Sequence, residues 1–189
     1  MINRPADWET ATAEIGGGGG RLPLANYICY IVAAGPYTSK KGNEMLRIAW
    51  DVAEGEYKDF YNKKFEADKK SRGKEAKWKP AGIYYISLGE GSTGRLKGFA
   101  KCLEESNPGY HWDFDDTKLG GLKFAGQMSG ENKSYNGHAY LEVKLANIYP
   151  VGSFDEMPDA FMREGNQNGG GNDNPFAEGS NISDSDIPF

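Results

Sequence analysis

Between Tyr37 and Lys79 the chain interleaves cations with flat rings. The cations are Lys40, Lys41, Arg47, Lys58, Lys63, Lys64, Lys69, Lys70, Arg72, Lys74, Lys77 and Lys79. The rings are Tyr37, Trp50, Tyr61, Trp78 and, just beyond, Tyr84. Residues 57–80 alone carry nine Lys or Arg against four Asp or Glu, a net of +5. Single-stranded nucleic acid offers a line of phosphates and exposed base faces. Holding it without sequence choice takes cations along a groove and rings within it, each stacked base contributing about 1–3 kcal/mol.

Not every ring in this stretch suits that use. Tyr57, Phe60, Tyr61 and Phe65 recur at helical spacing, so Phe60 and Phe65 are expected to face a core. Trp50 shares its phase with Leu46, Ile48 and Val52, which also favours a core position. Trp78 stands between lysines in a polar stretch, so an exposed, stacking indole is expected.

Other clusters point to less. Gly89-Glu-Gly-Ser-Thr-Gly-Arg-Leu96 sits between a strand and a helix, where a phosphate loop would be. That motif needs Lys and then Ser or Thr after its last glycine, and Arg95-Leu96 stands there instead. A nucleotide hydrolase is therefore the weakest reading, although Ser92, Thr93 and Arg95 at a helix start could hold a DNA phosphate. Cys29, Cys102, His111 and His138 follow no zinc spacing, and the two thiols lie in apolar stretches. Buried, reduced thiols are expected, with no metal and no cofactor. Asp113, Asp115 and Asp116 read as solvated loop acids. No Ser-His-Asp or Cys-His arrangement suggests an enzyme.

The elements that must position these residues follow from pattern. Residues 25–34 are rich in β-branched and aromatic side chains and form a first strand, broken by Gly35-Pro36. A basic turn follows at 37–43. Residues 44–52 alternate, with Leu46, Ile48, Trp50 and Val52 facing one way and Arg47, Ala49 and Asp51 the other. Residues 57–70 form a helix and 71–80 a basic loop. Residues 81–88 are a third strand. Thr93 to Ser106 is a helix with Leu96, Phe99, Ala100 and Leu103 on one face, stopped by Asn107-Pro-Gly109. Residues 122–128 and 138–150 are the last strands, joined by a turn over 131–137 in which Asn136-Gly137 takes positive φ. Five strands with a helix between the third and fourth is the order of an OB-fold, a five-stranded Greek-key barrel, here with an inserted basic helix and loop. The expected class is mainly β with helices.

The 189 residues suit one domain with appendages. The net charge of −5 argues against a nucleic-acid partner only if it is taken whole. Residues 1–150 hold 21 Lys or Arg and 19 Asp or Glu, a net of +2. Residues 151–189 hold Arg163 against eight acids, a net of −7. A slightly basic body with an acidic arm suggests polyanion binding with a self-competing tail. Residues 16–20 are five glycines, so 1–21 is expected to be a flexible lead-in, with Trp8 either tucked on the body or stacking on a base. No signal peptide and no membrane span are expected. The body is assigned to 22–154 and the tail to 155–189.

The tail has its own pattern. A spacer without apolar side chains, Gly165-Asn-Gln-Asn-Gly-Gly-Gly-Asn-Asp-Asn174, is followed by Asn181-Ile-Ser-Asp-Ser-Asp-Ile-Pro-Phe189. The spacer gives reach, Asp184 and Asp186 steer toward a basic pocket, and Ile187, Pro188 and Phe189 anchor.

That tip resembles the C-terminal tail of bacterial and phage single-stranded DNA-binding proteins. Upstream, Leu22-Pro-Leu-Ala-Asn-Tyr27, Ala53-Glu-Gly-Glu-Tyr57 and Glu105-Ser-Asn-Pro-Gly-Tyr-His-Trp112 resemble, more loosely, a phage-encoded family of early-region proteins read as OB-fold single-strand binders. The resemblance implies a protein that coats single-stranded DNA in replication, recombination and repair. It also implies a tail that docks partner enzymes such as a primase, helicase loader, recombinase or exonuclease. A cytoplasmic, nucleoid-associated place in a bacterial host cell goes with it, and a homo-oligomer is compatible with it. Two other readings stay open: a strand-annealing or recombination-mediator protein, and a protein–protein adaptor that binds no nucleic acid.

Overall fold

A computed structural model describes residues 20–135 and 137–163. In chain order these form β1 (Tyr27–Thr38), β2 (Glu44–Val52), α1 (Phe60–Arg72), β3 (Ile83–Ser87), α2 (Thr93–Ser106), β4 (Lys123–Tyr135), β5 (His138–Tyr149) and β6 (Phe161–Met162). The strands are joined in the order β3-β2-β1-β4-β5 by antiparallel ladders, and β6 pairs with β4 in parallel. The protein is mainly β, as the strand-rich pattern predicts. Across the described residues the sheet has six strands rather than five. Among the described residues no ladder joins β3 to β5, although β5 approaches the turn Pro80–Gly82 that leads into β3.

Alternation on β2 explains the core. Leu46, Ile48, Trp50 and Val52 point inward with Ile31, Ile86 and Phe124. The α2 stripe closes against them through Phe99, Cys102 and Leu103, with Leu96 and Ala100 at its margin.

Four boundaries differ from those the sequence pattern predicts, each for a physical reason. Gly35-Pro36 does not end β1, because Gly35 pairs with Arg47 and Pro36 with Leu46. β4 pairs with β1 only from Tyr27 to Tyr30, so Pro36 lies on an edge where its missing N–H costs no strand bond. The turn Asp116–Leu119 and the residues after it run along that edge. There Gly121 N–H donates to Ile31 O at 2.8 Å and Ile31 N–H to Leu122 O at 3.0 Å.

The expected turn over 131–137 is strand almost throughout. Glu131 to Tyr135 pair with residues 138–142, so strand reaches Tyr135, and Gly137, just before β5, has φ 78°. Polar residues on a two-stranded arm look like loop when only composition is read.

The third difference is β6. Gly130 lets it approach: an added Cβ there would lie 2.8 Å from Met162 Sδ and 3.0 Å from Leu24. The fourth is the end of the body. Packing continues past residue 154, with Met157 buried, the Asn26 amide donating to Pro158 O and Gln127 Nε2 donating to Asp159 O, both at 2.9 Å. The segment assigned to a tail from 155 therefore belongs to the body as far as residue 163. Leu22, where the body is expected to begin, is buried, and Lys64 Nζ donates to Gly20 O, so residues 20–21 join the body as well.

Candidate nucleic-acid interface

The period of two that buries Trp50 turns Arg47 to the other face of β2. Arg47 lies opposite Gly35 on β1 and Tyr85 on β3, and Tyr37 lies opposite Met45, so these side chains share that outer face. The Tyr37 and Tyr85 ring centroids are 5.4 Å apart with planes tilted by 52°. The Arg47 guanidinium carbon stands 5.5 Å from the Tyr37 ring centroid. The β1–β2 hairpin continues this patch. Its turn is closed by Ser39 N–H to Asn43 O at 2.9 Å, with Gly42 at φ 82°, and it carries Lys40 and Lys41 exposed at its tip.

Tyr84 is not part of this patch. It pairs with Ile48, packs against the core and has its phenol pKa raised by burial, with the Arg95 charge acting in the opposite sense. Tyr85 takes the outward place expected of Tyr84. A one-residue slip in phase moves a strand residue to the opposite face. In Ile83-Tyr84-Tyr85-Ile86, the core residue Ile86 is the signal that sets the phase.

The second group of cations lies on α1 and the segment after it. Lys58, Lys63, Lys69, Lys70, Arg72, Lys74, Lys77 and Lys79 are exposed, and Lys64 is half-buried. Arg72 Nε is 3.1 Å from Asp68. Lys64 Nζ stands 4.6 Å from the Phe60 ring centroid and Lys69 Nζ 5.9 Å from that of Phe65. Phe60 and Phe65 pack against the core, as their helical spacing predicts.

α1 is anchored by a residue that alternation alone places on the outer face of β2. Asp51 is fully buried. Its carboxylate accepts from the backbone N–H of Val52 at 2.8 Å, Tyr61 at 2.9 Å and Asn62 at 2.7 Å. Two of these donors are first-turn N–H groups that have no partner within a helix. Burial raises the Asp51 pKa, and the three N–H groups act against that rise.

The expected exposed indole is corrected. Trp78 is 2% exposed. Its Nε1–H donates to Gly82 O at 3.1 Å, and its ring lies 5.7 Å from Phe65 and 6.3 Å from Tyr61. The lysine-rich loop folds back over α1, so polar neighbours in sequence flank a ring that is inside. Tyr61, also named as a stacker, is buried edge-on to Trp50 at 5.2 Å. Trp50 is buried, as its phase predicts.

Tyr61, Lys64 and Lys79 do share a feature. With Arg21 and β5 they line a cleft of about 460 Å³. Arg95 stands exposed in the first turn of α2, with its charge acting on Tyr84 on the inward side of β3. Cys29 and Cys102 are buried, and burial pushes the Cys102 thiol up to about 12. Trp8, Asp184, Asp186, Ile187, Pro188 and Phe189 lie outside the described residues. No protein-family model and no curated protein matches this chain.

Proposed function

We propose that this protein binds single-stranded DNA with little sequence preference, on a body of OB type. The observation that carries this reading is the Tyr37–Arg47–Tyr85 patch on the outer face of β1, β2 and β3, beside the Lys40–Lys41 hairpin tip. The order β3-β2-β1-β4-β5, with α2 between β3 and β4, supports this reading, since it matches the order expected of a five-stranded Greek-key barrel opened between its third and fifth strands. In such barrels the face of the second and third strands and the loops at 1–2 and 4–5 take oligonucleotides. Rings supply faces for bases, and Arg47, Lys40 and Lys41 supply charge for phosphates. The tail from 181 to 189 is proposed to recruit replication and recombination enzymes, and no reaction is assigned to the body.

Titration of the full-length protein with dT oligonucleotides at two salt concentrations tests this. Tight binding that weakens steeply with salt is expected. Absence of binding at low salt would overturn it.

One observation favours an adaptor as the second reading. Phe114 is 75% exposed and Leu88 41%, and both edge a hollow of about 150 Å³ with Leu96 and Trp112. An exposed apolar patch suits a protein partner better than a phosphate. Retention of a protein partner by a chain that binds no oligonucleotide would support it.

A further inference from the structure

The cleft beside α1 has no part in the sheet-face patch. It lies between residues 20–22, α1, the approach to β3, and β5. Its floor is apolar, with Leu22, Tyr61 and Val143 buried and Leu141 beside them. Its rim is cationic through Arg21, Lys64 and Lys79. Glu142, the carboxylate among its lining side chains, is held by Lys144 at 3.0 Å. Two rings in the cleft each carry a cation. The Arg21 guanidinium carbon is 3.9 Å from the Tyr140 ring centroid, and Lys64 sits over Phe60.

We propose that this cleft receives a nucleotide of the same bound strand, with its base against Tyr140 and Phe60 and its phosphate between Arg21 and Lys79. The inference rests on the single-strand reading above. Charge complementarity selects the occupant: a purely apolar ligand brings no counter-charge to Arg21 and Lys79, and a purely ionic one wastes the floor. A base entering over Tyr140 takes the face that Arg21 covers, and the guanidinium turns to the phosphate. Lys79 leads through Pro80–Gly82 into β3, the strand that carries Tyr85. Cleft and sheet patch are then two ends of one track, and the residue 20–22 segment forms part of its wall.

The test compares a short and a long dT oligonucleotide on full-length Arg21→Ala, Tyr140→Ala and Arg47→Ala proteins. Arg21 is exposed, so its variant folds even if Tyr140→Ala is destabilised. The cleft variants should weaken the long oligonucleotide by roughly tenfold and leave the short one unchanged, whereas Arg47→Ala weakens both. Unchanged long-oligonucleotide affinity in Arg21→Ala and in folded Tyr140→Ala, with Arg47→Ala impaired, overturns the cleft and leaves the sheet patch standing. Failure of the wild type to bind either oligonucleotide overturns the single-strand reading itself. Thymidine monophosphate binding that is lost in the cleft variants, with oligonucleotide affinity intact, makes this a mononucleotide site and overturns the strand path. A peptide of residues 181–189 that protects the cleft when the long oligonucleotide does not makes it a peptide site, and this too overturns the strand path.

Discussion

The Asp51 carboxylate at the end of β2 accepts the Tyr61 backbone N–H at 2.9 Å, tying the first turn of α1 to the sheet. Without that carboxylate the basic helix loses its seat. Asp51→Ala should lower stability by about 3 kcal/mol, because buried donors are left unmet. Urea unfolding measures this. The pH dependence has a definite sign. Burial raises the folded pKa above the ordinary 3.8, so the folded state holds the proton more tightly than the unfolded chain. This group's contribution is greatest below 3.8 and declines as pH rises through the raised value. The wild type's advantage over Asp51→Asn should therefore shrink on going from acid to neutral pH, and a growing advantage would refute the sign.

Tyr85 and Tyr84 are neighbours in sequence with opposite expected phenotypes. Tyr85→Ala should weaken oligonucleotide binding by about 1–3 kcal/mol. Tyr84→Ala should lower stability and leave the affinity of the folded protein unchanged. Equal binding losses in the two variants, at equal stability, would contradict the assignment of faces. Arg47→Ala should also flatten the salt dependence, by about 0.7 in log–log slope if one phosphate contact is lost.

Trp78→Ala should cost about 3–5 kcal/mol of stability, as expected for a deleted core indole. Trp78→Phe should bind oligonucleotide normally. An added Cβ at Gly82 would lie 2.6 Å from Trp78 Nε1, so Gly82→Ala should also destabilise. Easy quenching of Trp78 by acrylamide in the folded protein would be incompatible with its burial.

Deleting residues 181–189 should leave oligonucleotide affinity equal or higher and abolish capture of partner enzymes. A large loss of oligonucleotide affinity on truncation would rule out a tail that only competes and recruits.

β2 and α2 are legible in the sequence because each alternates or repeats strongly over its whole length. Glu44–Val52 and Thr93–Ser106 are found where the pattern places them. The same pattern puts Arg47 outside and Trp50 inside. Trp78 misleads because its burial comes from Tyr61 and Phe65 on α1, well outside the run of lysines that flanks it in sequence. Asp51 misleads because its role depends on helix N–H groups ten and eleven residues away. β6 leaves no trace in the pattern, since two residues carry no period and its site depends on a glycine in β4. Tyr37 and Arg47 do share one surface, as the interleaving suggests, whereas the third member is Tyr85 and not its neighbour Tyr84.

The free flank of β1 bears on how copies of this chain can associate. A bare strand edge invites a second molecule to extend the sheet. Here Pro36 withholds a donor along that flank, and residues 121–122 already occupy the donor and acceptor of Ile31. Extension of the sheet through β1 by a second copy is therefore opposed, and under the single-strand proposal any cohesion between neighbouring copies has to come from other surfaces or from the strand they would share.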